Sequence, residues 1–319
     1  MKVQLIDSTE AFLERSTQYR SDDPLRTNVI GSVAQSVLSG RRRYDRCRWW
    51  VVADSDVVVA IAMRTSPMPM VLAPMSRDAA IMLGQEVGSL DDDLPGLSGP
   101  RDAVEQFVEG YRASGSSGSR RATRVVRREL MYEIANLKPP TVEGGGRPAR
   151  HDDVDLLATM FTQFVDEVDL SPVSLVDARE GVAASVDEGS LVCWEHHGAL
   201  VSFAGHAPVV RTGVTLVGRV GPVYTPPDRR GHGYASAVTA MVTRELLDQG
   251  ARAMLLTDAA NPTSNAIYRA LGYQLIDELV DVRFEESLSS VTFPFGQRSG
   301  RSSTSRVRRQ WPTCSHRAT

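Results

Sequence analysis

The run Val220-Gly221-Pro222-Val223-Tyr224-Thr225-Pro226-Pro227-Asp228-Arg229-Arg230-Gly231-His232-Gly233-Tyr234-Ala235 decides the reading of this 319-residue chain. A buried strand runs into a glycine-rich turn, and the turn opens a long amphipathic helix whose apolar positions Val238, Val242 and Leu246 recur at helical spacing. The first N–H groups of a helix have no partners within it and point at whatever lies before its N-terminus. Gly231 and Gly233 remove the side chains that would keep an anion from that backbone, and Arg229 and Arg230 add positive charge. The stretch suits a pyrophosphate, although a glycine-rich turn alone also serves purely structural loops.

Working outward, Gln249-Gly250 closes the helix with a C-terminal glycine, and Ala253 to Thr257 reads as a short buried strand. Asn261-Pro262 is a helix start, with Asn as cap and Pro at the first helical position, and this second helix ends at Gly272. The acidic ribose-binding residue of a dinucleotide fold and the Gly-Lys-Ser/Thr of a triphosphate loop are both missing. Asn261, Asn265 and Tyr268 share one helix face, while Ile267, Ala270 and Leu271 turn toward another that can pack on a sheet. Asn261 serves equally well as a cap or as a ligand contact. Upstream, Gly221-Pro222 interrupts a strand-like run; proline cannot donate to a sheet ladder, so it marks a bulge, an unpaired edge or an ordinary strand end.

Arg230-Gly231-His232-Gly233-Tyr234-Ala235 resembles the Arg/Gln-x-x-Gly-x-Gly/Ala signature of the GCN5-related N-acetyltransferases (GNAT), and Asn261 through Tyr273 is similar to that family's second cofactor motif. The resemblance implies an α/β fold with a central mixed, mostly antiparallel sheet, a splayed parallel strand pair and flanking helices. It implies acetyl-CoA as cosubstrate, no metal, and a pyrophosphate held around Arg229, Arg230, Gly231, His232, Gly233, Tyr234 and Ala235, with Asn261 and Asn265 as further contacts. The pantetheine arm would lie in the splay like an added strand, bonded to backbone near Val223, whose N–H could polarise the thioester carbonyl. Tyr268 takes the position from which members of the family protonate the departing thiolate; a phenol with a pKa of about 10 can donate to a thiolate whose own value is near 8.5.

The acceptor amine must lose a proton before it attacks, yet no Asp or Glu stands between Arg219 and Tyr224. Glu195, Asp258 or a water wire remain open as bases, and proximity alone can supply much of the acceleration. Leu157, Met160, Phe161, Phe164 and Val168 make an amphipathic helix, with a second helix near 173–186. Asp166, Glu167 and Asp169 at the break either attract a cationic amine or form a solvated helix end. Leu191 to Glu195 and Ala199 to Phe203 form a hairpin, with His196 and His197 as turn residues.

The chain is longer than one such unit. Pro139 to Pro148 is rich in Pro and Gly, and the upstream hairpin pattern of Trp49 to Ala53 and Val57 to Ala62, then Val71 to Ala73 and a helix from Arg77 to Val87, echoes the later half. Expected are a degenerate GNAT-like unit over 1–138, a linker over 139–150, a catalytic unit over 151–288 and a disordered basic tail over 289–319. The first half lacks the glycine signature after Pro74, so it is read as scaffold or substrate wall.

Apolar content of 42% supports packed cores, and a net charge of −3 gives no global attraction to nucleic acid or membrane. No stretch has the length of a membrane span or a signal peptide, and three scattered cysteines indicate neither disulfides nor zinc, so a cytoplasmic protein is expected. The basic runs Arg41 to Trp50 and Arg120 to Arg128 are read as solvated faces rather than nucleic-acid surfaces. The expected activity is direct transfer of acetyl from acetyl-CoA to a primary amine of a small molecule or peptide in a ternary complex; a catalytically silent CoA-binding regulatory module is the alternative. Homo-oligomerisation stays open.

Overall fold

The computed structural model describes residues 1–90, 94–116, 121–168 and 172–285. The first half runs β1 (Lys2–Ile6), α1 (Thr9–Arg15), α2 (Thr17–Asp22), α3 (Asn28–Leu38), β2 (Arg46–Asp54), β3 (Val57–Ser66), β4 (Met70–Leu72), α4 (Arg77–Ser89), β5 (Gly96–Pro100), α5 (Arg101–Ala113) and β6 (Thr123–Ile134). The second runs β7 (Gly145–Pro148), α6 (Val154–Glu167), α7 (Leu175–Asp187), β8 (Leu191–His196), β9 (Ala199–His206), β10 (Val210–Thr212), β11 (Thr215–Tyr224), α8 (Tyr234–Asp248), β12 (Arg252–Asp258), α9 (Pro262–Leu271) and β13 (Tyr273–Phe284). An edge strand, helices, a hairpin and then alternating strands and helices recur in the same order in both halves.

All these strands join one mixed sheet in the order β1-β2-β3-β4-β5-β13-β6-β12-β11-β9-β8-β7, with β10 beside β11. The final strand of each half crosses to the other. β6 pairs antiparallel with β12 of the second half, and β13, the last described strand, pairs antiparallel with β5 of the first. The two exchanged strands lie side by side at the centre, paired from Tyr273↔Ile134 to Phe284↔Thr123.

The exchange is written into the cores. Leu130, Tyr132 and Ile134 of β6 pack with Val238, Val242 and Leu246 of α8, whereas Val280, Val282 and Phe284 of β13 pack with Leu83, Phe107 and Tyr111 of α4 and α5. These helices cover one face of the sheet. Alternation sends neighbouring residues the other way, so Trp49 and Val51 meet α1 and α3, while Cys193 and Phe203 meet α6 and α7. Between these helix groups on the second face lies a small cluster of Leu25, Met131, Val217, Met254 and Leu279.

The Pro/Gly-rich stretch read as a linker is partly sheet: Gly145–Pro148 pairs with β8, and the Trp194 indole donates to the Glu143 carbonyl at 3.0 Å. Part of the basic run upstream of Arg128 is the start of β6, where Arg128 meets Glu278 at 2.8 Å and Arg124 meets Glu285 at 3.5 Å. The expected tail over 289–319, Asp169 and Arg120 lie outside the described residues.

Candidate active site

Strand β11 carries the interruption expected at Gly221-Pro222. Its register with β9 shifts between Val220 and Val223, and Gly221 holds φ 141°, a conformation L side chains rarely adopt. On its other edge β11 runs parallel to β12 only from Val217↔Arg252 to Val220↔Leu255. Beyond that point β11 continues to Tyr224 and β12 to Asp258 without pairing to each other, while β12 stays paired with β6 through Asp258↔Glu129. The two parallel strands therefore fork, and Val223 lies on the β11 arm, which stays paired with β9 at Val223↔Ala204 and has no partner on its β12 edge.

The corresponding parallel pair of the first half does not open. β4 pairs with β5 at Met70↔Leu97 and Val71↔Ser98, and a Cβ on Gly99 would sit 2.8 Å from the Leu72 carbonyl oxygen. Helix α4 is also capped from within, because the Ser76 side chain accepts from the Ala79 N–H at 3.3 Å.

The N-terminus of α8 is different. Gly233 is its cap at φ 80°, no side chain caps it, and the turn from Arg229 to Gly233 is exposed. Gly231 at φ 86° faces open space, so the first N–H groups of α8 are accessible to an anion, with the helix dipole behind them. The side chains around this backbone are divided between solvent and scaffold. Arg229 is exposed beside Asp228 at 3.1 Å. Arg230 instead donates to the Thr225 carbonyl at 2.9 Å and to Glu167 at 2.6 Å, bracing the turn against α6. Tyr234 is buried, bonds His196 at 2.5 Å and stacks on His232, so its ring anchors the helix to the β8–β9 hairpin. Ala235 follows in the first turn.

On α9, the Asn261 side chain accepts from the Ser264 N–H at 3.0 Å, a cap as its sequence position suggests. Asn265 is buried; its amide donates to the Asp258 and Asn261 carbonyls at 2.9 and 2.7 Å, which fixes the turn between β12 and α9, while its Oδ1 has no partner. Tyr268 packs edge-on against Tyr273 and is pushed up to about 12 by burial, partly offset by a hydrogen bond with Ser264. It stays protonated across the working range of a proton donor.

The two carboxylates open as bases from sequence are otherwise occupied or oriented. Glu195 meets Arg147 at 2.7 Å, and Arg147 also holds Asp153 at 2.7 Å. Asp258 accepts from the Ala260 N–H at 2.8 Å. A third carboxylate, with no local pattern to single it out, is Glu129 of β6. Burial first, then Asp281 and Asp258, push it up to about 7, against the opposing pull of Arg127 and Arg219. Its signal lies only in the pairing of β6 with β12, which no local pattern announces.

Among the described residues no helix is long and apolar enough to cross a membrane, and no group of three or more His, Cys, Asp or Glu is poised to hold a metal ion. Residues 212–282, which contain the fork, the turn and α9, match the family model described as FR47-like protein. No curated relative matches the chain by sequence. Solved structures similar to it include a GNAT-family acetyltransferase from Colwellia psychrerythraea (TM-score 0.57, 14% identity, 89% of this chain and 100% of that one). A GCN5-related N-acetyltransferase from Sphaerobacter thermophilus aligns with TM-score 0.57 and 16% identity, over 88% of this chain and 94% of the other. A tandem GNAT protein from the clavulanic acid biosynthesis pathway aligns with TM-score 0.52 and 12% identity, over 88% and 98%.

Proposed function

We propose, from the premise that this chain is built on the GNAT fold, that it is an acetyl-CoA-dependent N-acetyltransferase whose cosubstrate site lies in the second half. One observation carries the reading: a forked parallel strand pair leads to an exposed helix N-terminus with no side-chain cap, whereas the corresponding helix of the first half, α4, is capped by Ser76 and follows a parallel pair that stays closed. The backbone N–H groups after Gly233 would hold the diphosphate, with Arg229 adding charge. The β11 backbone around Val223, open on its β12 edge, would bond the pantetheine arm and receive the negative charge that develops on the thioester oxygen.

The amine nitrogen attacks the thioester carbonyl carbon, a C–N bond forms, and the C–S bond breaks. Tyr268, on the α8–α9 side of the fork, gives its proton to the departing sulfur and is restored by the proton lost from the new amide nitrogen. The cofactor is released as free thiol, so the test is thiol production from acetyl-CoA across a panel of amines, with calorimetry of acetyl-CoA alone. Amine-dependent thiol release supports the enzyme. Binding without turnover on any amine leaves the silent CoA-binding module instead.

A further inference from the structure

A cavity of about 100 Å³ lies on the face of the sheet opposite α8 and α9. Its floor combines Arg219 and Leu256, which flank the last paired residues of the fork, with Glu129 and Met131 from the exchanged strand β6, and its roof includes Val29 and Ile30 of α3. Pairing fixes the common face: Leu256 stands opposite Met131 and Asp258 opposite Glu129, while Leu255, one residue away, packs among the α8 and α9 contacts. One edge of the cavity therefore borders the last paired residues of the fork, on the face opposite Tyr268.

Two of its polar groups carry unspent charge. Arg219 has no side-chain hydrogen bond or ion pair among the described residues, and burial lowers it to about 10, with a further push from Arg42 and only Glu129 drawing it back. Glu129 likewise has no hydrogen-bonded cation. The other arginine in the wall, Arg26, is saturated by Asp277 at 2.6 Å, Asp23 at 3.0 Å and the Ile276 carbonyl at 2.6 Å. Arg219 and Glu129, both half-buried, attract each other across this wall with no hydrogen bond between them among the described residues, so each keeps hydrogen-bonding capacity for a ligand that carries both charges.

Resting on the acetyltransferase reading, we propose that this cavity is the acceptor site, that the acceptor is a compact amine bearing its own carboxylate, and that Arg219 binds that carboxylate while Glu129 takes the ammonium proton. The volume is about that of three waters, enough for an amino-acid head group and too small for a folded peptide segment. Glu129 removes one proton from the ammonium and later yields it to solvent; the second leaves with the thiol by way of Tyr268, so one ammonium and one thioester give one amide, one thiol and one proton. The acid and the base then act from opposite sides of the fork, and the base comes from the first half of the chain.

The test compares matched amines with and without a carboxylate, glycine against methylamine and β-alanine against ethylamine, by thiol release with the full chain. The carboxylate-bearing member of each pair is expected to win by at least about 10-fold in kcat/KM, and Arg219→Gln is expected to collapse that ratio mainly through KM, with Arg219→Lys restoring part of it. Glu129→Gln is expected to lower kcat by roughly 100-fold and to remove an acidic limb near pH 7 from the kcat/KM profile of the wild type. The charged groups facing Glu129 are Arg127, Asp281, Asp258 and Arg219, so Asp281→Asn serves as a control that moves this limb downward without abolishing it. Equal rates for the matched amines in the wild type would overturn the proposal while leaving the acetyltransferase reading intact. Thermal shift with glycine or β-alanine alone, lost in Arg219→Gln, together with no turnover on any amine, would keep the cavity assignment and sink the transferase.

Discussion

At the residue scale, Tyr268 and Gly231 separate the proposed chemistry from the proposed binding. Tyr268→Phe keeps the ring that packs on Tyr273 and removes only the proton donor, so kcat should fall about 100-fold while acetyl-CoA affinity, measured by calorimetry, stays within a few fold. Burial raises the phenol to about 12, so the protonated, active form should persist through pH 10; an alkaline loss of kcat centred nearer 9 would assign the donor elsewhere. Gly231→Val puts a branched side chain at φ 86° in the open mouth of the turn, where the neighbouring protein leaves room. It should weaken acetyl-CoA binding at least about 10-fold, a loss that combines backbone strain with obstruction of the anion. The turn before α8 and the cap of α9 were legible because their geometry is local: two glycines, a cap and a proline at fixed spacing. Arg230 was legible as a cation, but its role as a brace between the turn and α6 depends on Glu167, a residue far away in sequence.

At the element scale, β7 shows how a stretch that looks like a linker becomes structure. Arg147 of β7 is held by Asp153 and Glu195, and this pairing keeps the Asp153 carboxyl below the ordinary carboxylate range. A carboxylate depressed in the folded state stabilises it at pH values above its unfolded value near 3.9, and the contribution disappears as the pH falls through the lower folded value. Because Glu195 still pairs Arg147, Asp153→Asn should destabilise the protein by about 1.5 kcal/mol at pH 7 in urea unfolding, with the gap to the wild type narrowing below pH 4. The same element scale explains the different fates of the two parallel pairs. In the second half, the irregular register around Gly221-Pro222 coincides with the start of the fork; in the first half, Gly99 lies so close to Leu72 that the strands stay closed.

At the scale of the whole molecule, the exchange of β6 and β13 makes each half incomplete alone. A fragment beginning at residue 139 would leave β12 without its partner and strip Leu130, Tyr132 and Ile134 from the core beneath α8 and α9. The exposed edge and apolar face should make such a fragment aggregate or unfold without cooperativity, and the full chain should lose its tertiary structure in a single transition. Calorimetry of the full chain, with tryptophan fluorescence from Trp49 and Trp50 in one half and Trp194 in the other, would detect two separable transitions if the halves were independent.

By itself the sequence determined the glycine turn before α8, the caps of α8 and α9, the bulge in β11 and the paired hairpins, because each follows from side chains within a few residues of one another. Only the tertiary structure decided where 123–134 and 273–284 belong, since their pairing joins segments far apart in the chain and nothing in a basic run such as Arg124 to Arg128 says which strand it will meet. That pairing brings Glu129 beside the fork and into one cavity with Arg219. Its environment, and with it the chemistry proposed for it, is a property of neighbours that the chain reaches only by folding.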